Sequence, residues 1–160
     1  IKAAAPDSKI IKAESTITVD KPELITGKKV LVVEDGPTLT HGEMKIGAGS
    51  VAAERLGASE IVDPSPYLVG TLKETFKTYP HIEKVLPAMG YGEQQLKDLE
   101  ETINNTDCDA VIIGTPIDLT RVININKPTT RVFYDLDEVE GPNLESILKE
   151  FIEKHHLQFA

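Results

Sequence analysis

Two short, uninterrupted apolar runs stand out along the chain, Lys29–Glu34 (KVLVVE) and Asp109–Gly114 (DAVIIG). Runs of this length without alternation predict strands buried on both faces, the habit of a parallel sheet. Weaker strand signals lie at Lys9–Ala13 (KIIKA), Glu60–Val62 and Thr130–Leu136 (TRVFYDL). Elsewhere the period becomes helical. The run SVAAERLGA after Gly49 puts Val51, Ala52 and Leu56 on one side and offers Gly57 as a C-cap. Glu93–Asn104 repeats Leu96, Leu99 and Ile103, and Leu144–His155 carries a stripe of Leu144, Ile147, Leu148, Phe151 and Ile152. Pro22–Ile25 reads as a helix start, and a short amphipathic helix is predicted at Gly70–Tyr79. The Pro80–Gly92 stretch reads as an apolar, irregular connection, a lid, an oligomer contact or plain loop packing. Alternating strands and helices predict an α/β fold, a mostly parallel, doubly wound sheet (Rossmann-like or P-loop NTPase-like) flanked by helices.

Composition narrows the function classes. The 160 residues suffice for one domain with a true core, and 40% hydrophobic with 27% charged residues is a globular balance. A net charge of −9 argues against a general nucleic-acid binder, which needs a basic surface to displace counterions. No apolar run approaches the ~20 residues of a membrane span. A single cysteine, Cys108, forms neither an internal disulfide nor a metal cluster and fits a reducing cytoplasm. Its place just before a buried strand suits packing. The chain opens on Ile1 with its first methionine at Met44, which reads as a section of a longer polypeptide.

In an open α/β sheet, ligands bind beyond the carboxyl ends of the strands. The strongest candidate there is the sixteen-residue segment Asp35–Ser50. Asp35 leaves the sheet where a carboxylate can hold Mg²⁺ or accept a proton. Gly36, Thr38, Thr40, His41 and Gly42 follow, and Gly47, Gly49 and Ser50 lead into a helix N-terminus whose free amides suit an anion. The competing reading is a long crossover whose Thr and His side chains satisfy its own backbone. A second strand end brings Thr115, Asp118 and Arg121, where the Arg is either a bidentate phosphate partner or one half of a surface pair with Asp118. His155 and His156 are adjacent rather than four apart and read as surface. There is no G-x-x-x-x-G-K-[ST] phosphate loop and no nucleophile elbow.

The strings KKVLVVEDGPTLTHGEMKIGAGSVAAERLGASEIVDPSPY, YPHIEKVLPAMGYGEQQLKDLEETIN and DAVIIGTPIDLTRVININKP resemble the carboxyl-terminal part of the predicted P-loop GTPases related to cyclic 2,3-diphosphoglycerate synthetase, an archaeal-type family. The resemblance covers nearly the whole chain. It implies that 1–27 are the end of an upstream P-loop nucleotide domain and its connection, and that 28–160 are a C-terminal α/β domain. It further implies Mg²⁺ and GTP or ATP in the intact parent, with the nucleotide motifs upstream of Ile1. The function implied is nucleotide-dependent phosphoryl transfer, with this section supplying a phosphate- and substrate-binding loop. The alternative is a GTPase-type regulatory or partner-binding module. On the first reading Gly47, Gly49 and Ser50 donate to a phosphorylated acid, Thr38, Thr40, His41 and Arg121 orient it, and Asp35 or Asp118 assists Mg²⁺ or a proton transfer. The expected partners are a small phosphorylated ligand or nucleotide and a homo-oligomer, with neither nucleic acid nor membrane.

Overall fold

The computed structural model describes residues 1–42 and 44–155; Glu43 and the reading of His156 as surface lie outside the described residues. In chain order the strands are β1 (Lys12–Val19), β2 (Lys29–Asp35), β3 (Glu60–Ile61), β4 (Val85–Ala88), β5 (Ala110–Ile113) and β6 (Thr129–Glu140). The helices are α1 (Gly36–Thr40), α2 (Ala48–Arg55), α3 (Thr71–Thr78), α4 (Glu93–Asn105) and α5 (Leu144–Lys154), with single 3₁₀ turns at Pro22–Leu24, Ser65–Tyr67 and Leu119–Arg121. The chain divides into two compact units, 17–134 and a smaller one made of 1–16 and 135–160.

The strand order is β1-β6-β5-β2-β3, with β4 also on β2. β2 pairs in parallel with β5 from Val30 opposite Ala110 to Val33 opposite Ile113. On its other edge β2 pairs in parallel first with β3 at Lys29 and Val30, then with β4 from Val32 to Asp35. β5 pairs in parallel with β6, Ile113 opposite Arg131. The result is a mixed α/β structure with a mostly parallel six-stranded sheet flanked by helices.

Within 17–134 both sheet faces are covered, which is why β2 and β5 are apolar throughout rather than alternating. One face buries Leu31, Val33, Val111 and Ile113 against Leu72 of α3 and Leu99 and Ile103 of α4. The other buries Val30, Val32, Ile112 and Val132 against Ala52 and Ala53 of α2, with Ile25, Leu39 and Ile82. The small alanines let α2 approach the sheet closely, and Gly57, at φ +69°, ends it as the sequence predicts. Cys108 is half-buried and packs at the edge of the first core.

Four elements differ from expectation. The first strand runs over Lys12–Val19, not Lys9–Ala13, because the β-branched run at Thr16–Val19 outweighs the shorter apolar one. The Pro80–Gly92 stretch is neither lid nor loose connection: Val85–Ala88 is a fully buried strand, with Pro87 opposite Glu34. Pro87 is accommodated because β4 pairs with β2 alone, so its missing N–H breaks no second ladder. The Asp35–Ser50 segment contains the short helix α1, and the last strand extends to Glu140.

The smaller unit holds the outer parts of β1 and β6 and the helix α5, tied by Lys12 to Glu140 at 2.5 Å and by Lys9 to Glu150. The predicted stripe of α5 is present, but Leu144, Leu148 and Phe151 are exposed.

Candidate functional site

The carboxyl ends of β2 and β5 lie side by side in the larger unit, and every candidate residue from the sequence lies in the segments leaving them. Glu34 is the residue that sequence reasoning passed over. It is fully buried near the end of β2, on the face covered by α2. Its Oε1 accepts the Ser50 amide at 2.8 Å and the Ser50 hydroxyl at 3.0 Å, and the backbone of Gly49 and Gly47 lies close enough to the carboxyl to draw its proton affinity down. The glycines of the segment have a steric reason. A methyl group at Gly47 or at Gly114 of the neighbouring strand end would overlap Glu34 Oε2, and one at Gly49 would lie 2.9 Å from Val32 Cγ1. Burial pushes the Glu34 carboxyl above its ordinary range, against the pull of the Ser50 bonds and of the Gly49 and Gly47 backbone. The acidic group that meets the N-terminus of α2 is thus the chain's own Glu34 carboxyl, and a phosphate bound by Gly47, Gly49 and Ser50 would have to displace it.

Asp35, the next residue, sits on the opposite face by strand alternation. It caps α1: its Oδ2 accepts the Thr38 hydroxyl at 2.9 Å and the Thr38 amide at 3.4 Å. Pro37 stands in the first turn, where its missing N–H costs nothing. Gly36 is pressed against Ala88 of β4, whose carbonyl oxygen would lie 2.5 Å from a Cβ there. Thr40 is buried and donates to the Gly36 carbonyl at 2.9 Å; its hydroxyl also lies 3.1 Å from His41 Nδ1. His41 and Gly42 are exposed at the end of α1, both amides bonded to the Pro37 carbonyl. So α1 brings Asp35, Thr38 and His41 to one small turn, while Thr40 serves the backbone.

The third group follows β5. Thr115 is buried at 1% exposure, and its Oγ1 has no hydrogen-bond partner. Asp118 accepts the Thr120 hydroxyl at 2.7 Å and amide at 3.2 Å, and lies 3.6 Å from both Arg121 Nε and Arg131 Nη1. The Thr120 bond, opposed by desolvation and helped by Arg131, holds the Asp118 carboxyl below the usual range. Arg121 extends into solvent, its side chain 83% exposed. Arg131, on β6, was not singled out by the sequence because it stands inside a strand pattern. It donates Nη2 to the Pro116 carbonyl at 3.2 Å and lies 4.9 Å over the Phe133 ring, while its Nε is buried without a partner.

Among the described residues no three His, Cys, Asp or Glu side chains come together to hold a metal ion. No helix among them is long and apolar enough to cross a membrane.

The chain is similar to arginine synthetase ArcE of Thermococcus kodakarensis. Identity is 60% over 151 residues, which is 94% of this chain and 34% of that protein. The chain therefore spans about a third of the length of the curated relative it matches. No family model matches, and no solved structure does. The relative's name overturns the resemblance to P-loop GTPases and cyclic 2,3-diphosphoglycerate synthetase. With it fall the phosphoryl-transfer function drawn from that synthetase and the GTPase-type regulatory alternative. The archaeal source of the relative agrees with the archaeal character expected.

Proposed function

We propose that this chain is a section of an arginine synthetase and contributes part of the pocket for an arginine-like amino acid at the carboxyl edge of its sheet. The observation that carries this reading is the 60% identity across nearly the whole chain to a protein named for that activity. Helices on both faces of a mostly parallel sheet favour the doubly wound, Rossmann-like arrangement, which places ligands at that edge.

Arginine carries a planar guanidinium with donors and no acceptor, so its tail calls for a carboxylate. Asp35 is placed for this role: both bonds from Thr38 fall on Oδ2, and the side chain is half-buried at the strand end. His41 and Thr38 border the same turn. Gly47, Gly49 and Ser50 act indirectly, by fixing Glu34 and the start of α2. Mg²⁺ and ATP or GTP, a homo-oligomeric state and a cytoplasmic setting belong to this proposal for the whole protein; the single cysteine supports the last.

The test is titration calorimetry of the full-length protein that contains this chain, with L-arginine and L-lysine. Saturable binding of L-arginine, absent for L-lysine and weakened about tenfold by Asp35→Asn, is expected for one lost charge-assisted pair. No heat with L-arginine overturns the reading.

A further inference from the structure

Among the described residues only two buried side-chain polar atoms lack a hydrogen-bond partner, Thr115 Oγ1 and Arg131 Nε. Their coincidence in the fold is informative. Arg131 stands opposite Ile113 in the β5–β6 ladder, and Thr115 follows Ile113 by two residues. The Cβ position of Gly114 points at Glu34, so by alternation Thr115 faces the other side, that of Ile113 and Arg131. Both unpartnered atoms therefore belong to one face, at the carboxyl end of β5 and the stretch of β6 beside it.

Their chemistry matches. The Nε of a guanidinium only donates, and a threonine hydroxyl can donate, so the two together call for one acceptor. The rest of Arg131 is braced: Nη2 on the Pro116 carbonyl, Nη1 toward Asp118, and the guanidinium over Phe133. A fixed guanidinium edge with an idle N–H is pre-organised for a carboxylate. Asp118, 3.6 Å from Arg131, supplies the complementary charge, and its exposed partner Arg121 contributes little by holding it.

We infer that Thr115, Arg131 and Asp118 form the head-group subsite for a zwitterionic α-amino acid. The carboxylate takes Arg131 Nε and the Thr115 hydroxyl, and the ammonium takes Asp118. This rests on the arginine reading above and adds the end of the substrate opposite to Asp35. The two ends are compatible in scale: β6 and β2 are separated by β5, which puts them about 10 Å apart at ordinary strand spacing, the reach of an extended arginine.

The test compares L-arginine with agmatine, which keeps the guanidinium and lacks the carboxylate, on the full-length protein by calorimetry. The wild type is expected to favour L-arginine by about tenfold or more, as two charge-assisted hydrogen bonds imply. Thr115→Val and Arg131→Lys should bring the ratio toward one while leaving agmatine affinity unchanged, which a merely structural role would not do. Thr115→Val keeps the side-chain shape and removes an unpartnered hydroxyl, so without ligand it should melt at or above the wild-type temperature. A protein that binds L-arginine with the same preference in both variants overturns the subsite and leaves the arginine reading standing. A wild type that does not bind L-arginine overturns that reading itself. A lowered melting temperature in Thr115→Val with the preference intact overturns the subsite by assigning the hydroxyl to structure.

Discussion

The carboxylate of Glu34 accepts both the amide and the hydroxyl of Ser50, sixteen residues further along, at 2.8 and 3.0 Å. The contact locks the end of β2 to the start of α2 and fixes the segment between them at both ends. Glu34→Ala leaves the amide and hydroxyl of Ser50 without their acceptor in a buried place, besides opening a cavity. A loss of about 2–4 kcal/mol in urea denaturation is expected, in the upper part of the range for single substitutions. Gly114→Ala is the companion change. Its methyl group overlaps Glu34 Oε2 and approaches the Gly49 amide at 2.9 Å, so it should cost about 1–3 kcal/mol, as overpacking does. Wild-type stability in either variant would show that the contact does not organise this edge.

Glu34 and Asp98 should give opposite pH signatures. Burial raises the Glu34 carboxyl above its ordinary value near 4.5. The native state then holds a proton that the unfolded chain has released, so stability falls as pH rises. The contribution is full below about pH 4.5 and is lost as pH climbs through the raised native value. Asp98 is the reverse. The Thr71 amide, at 2.8 Å, is the largest cause that holds its carboxyl below 3.8, with Gln94 and the Thr71 hydroxyl adding to it. Its contribution is present above the unfolded value and disappears as pH falls through the lowered one. In denaturation at a series of pH values, wild type minus Glu34→Gln should decline upward from pH 4.5, and wild type minus Asp98→Asn should decline downward toward strong acid. A difference of the other sign in either series contradicts the assignment.

The elements most legible in the sequence were those whose apolar pattern had a single explanation. β2 and β5 are continuous apolar runs because helices cover both faces, and α4 shows its buried Leu99 and Ile103 at helical spacing. β4 was hidden by Pro87, which marks a turn far more often than an edge strand that pairs on one side only. α1 was hidden because Gly36-Pro37-Thr38 reads as a turn, although an N-cap Asp followed by Pro is also a helix start. At the site, exposed loop residues such as His41 and Arg121 were visible, whereas Glu34 and Arg131 were not. A charged residue inside a strand pattern looks like a strand end until the structure shows what surrounds it. The available signal was the acidic end of an otherwise apolar run followed by Gly-Ala-Gly-Ser.

Asp35 joins the proposed ligand role to a local structural one, and the two separate by substitution. As N-cap of α1 it accepts from the Thr38 amide and hydroxyl, so Asp35→Ala should destabilise the chain by about 0.5–2 kcal/mol. Asp35→Asn retains a capping oxygen and should lose only a small part of that stability. If stability falls equally in both, the negative charge rather than the cap is what α1 requires.

The two units should respond differently to the loss of a leucine side chain. Leu31 is fully buried at the centre of β2, packed with Leu86, Val111 and Ile113 in one core, where the sheet cannot close over a void. Leu31→Ala is expected to cost about 2–5 kcal/mol. Leu148 lies on the apolar stripe of α5 but is 49% exposed, so little surface returns to water when it is cut back. Leu148→Ala should shift stability by no more than about 0.5 kcal/mol, because alanine also favours the helix. Urea denaturation of the two variants at one protein concentration compares them directly. A cost for Leu148→Ala approaching that of Leu31→Ala would mean that the face of α5 is covered in solution.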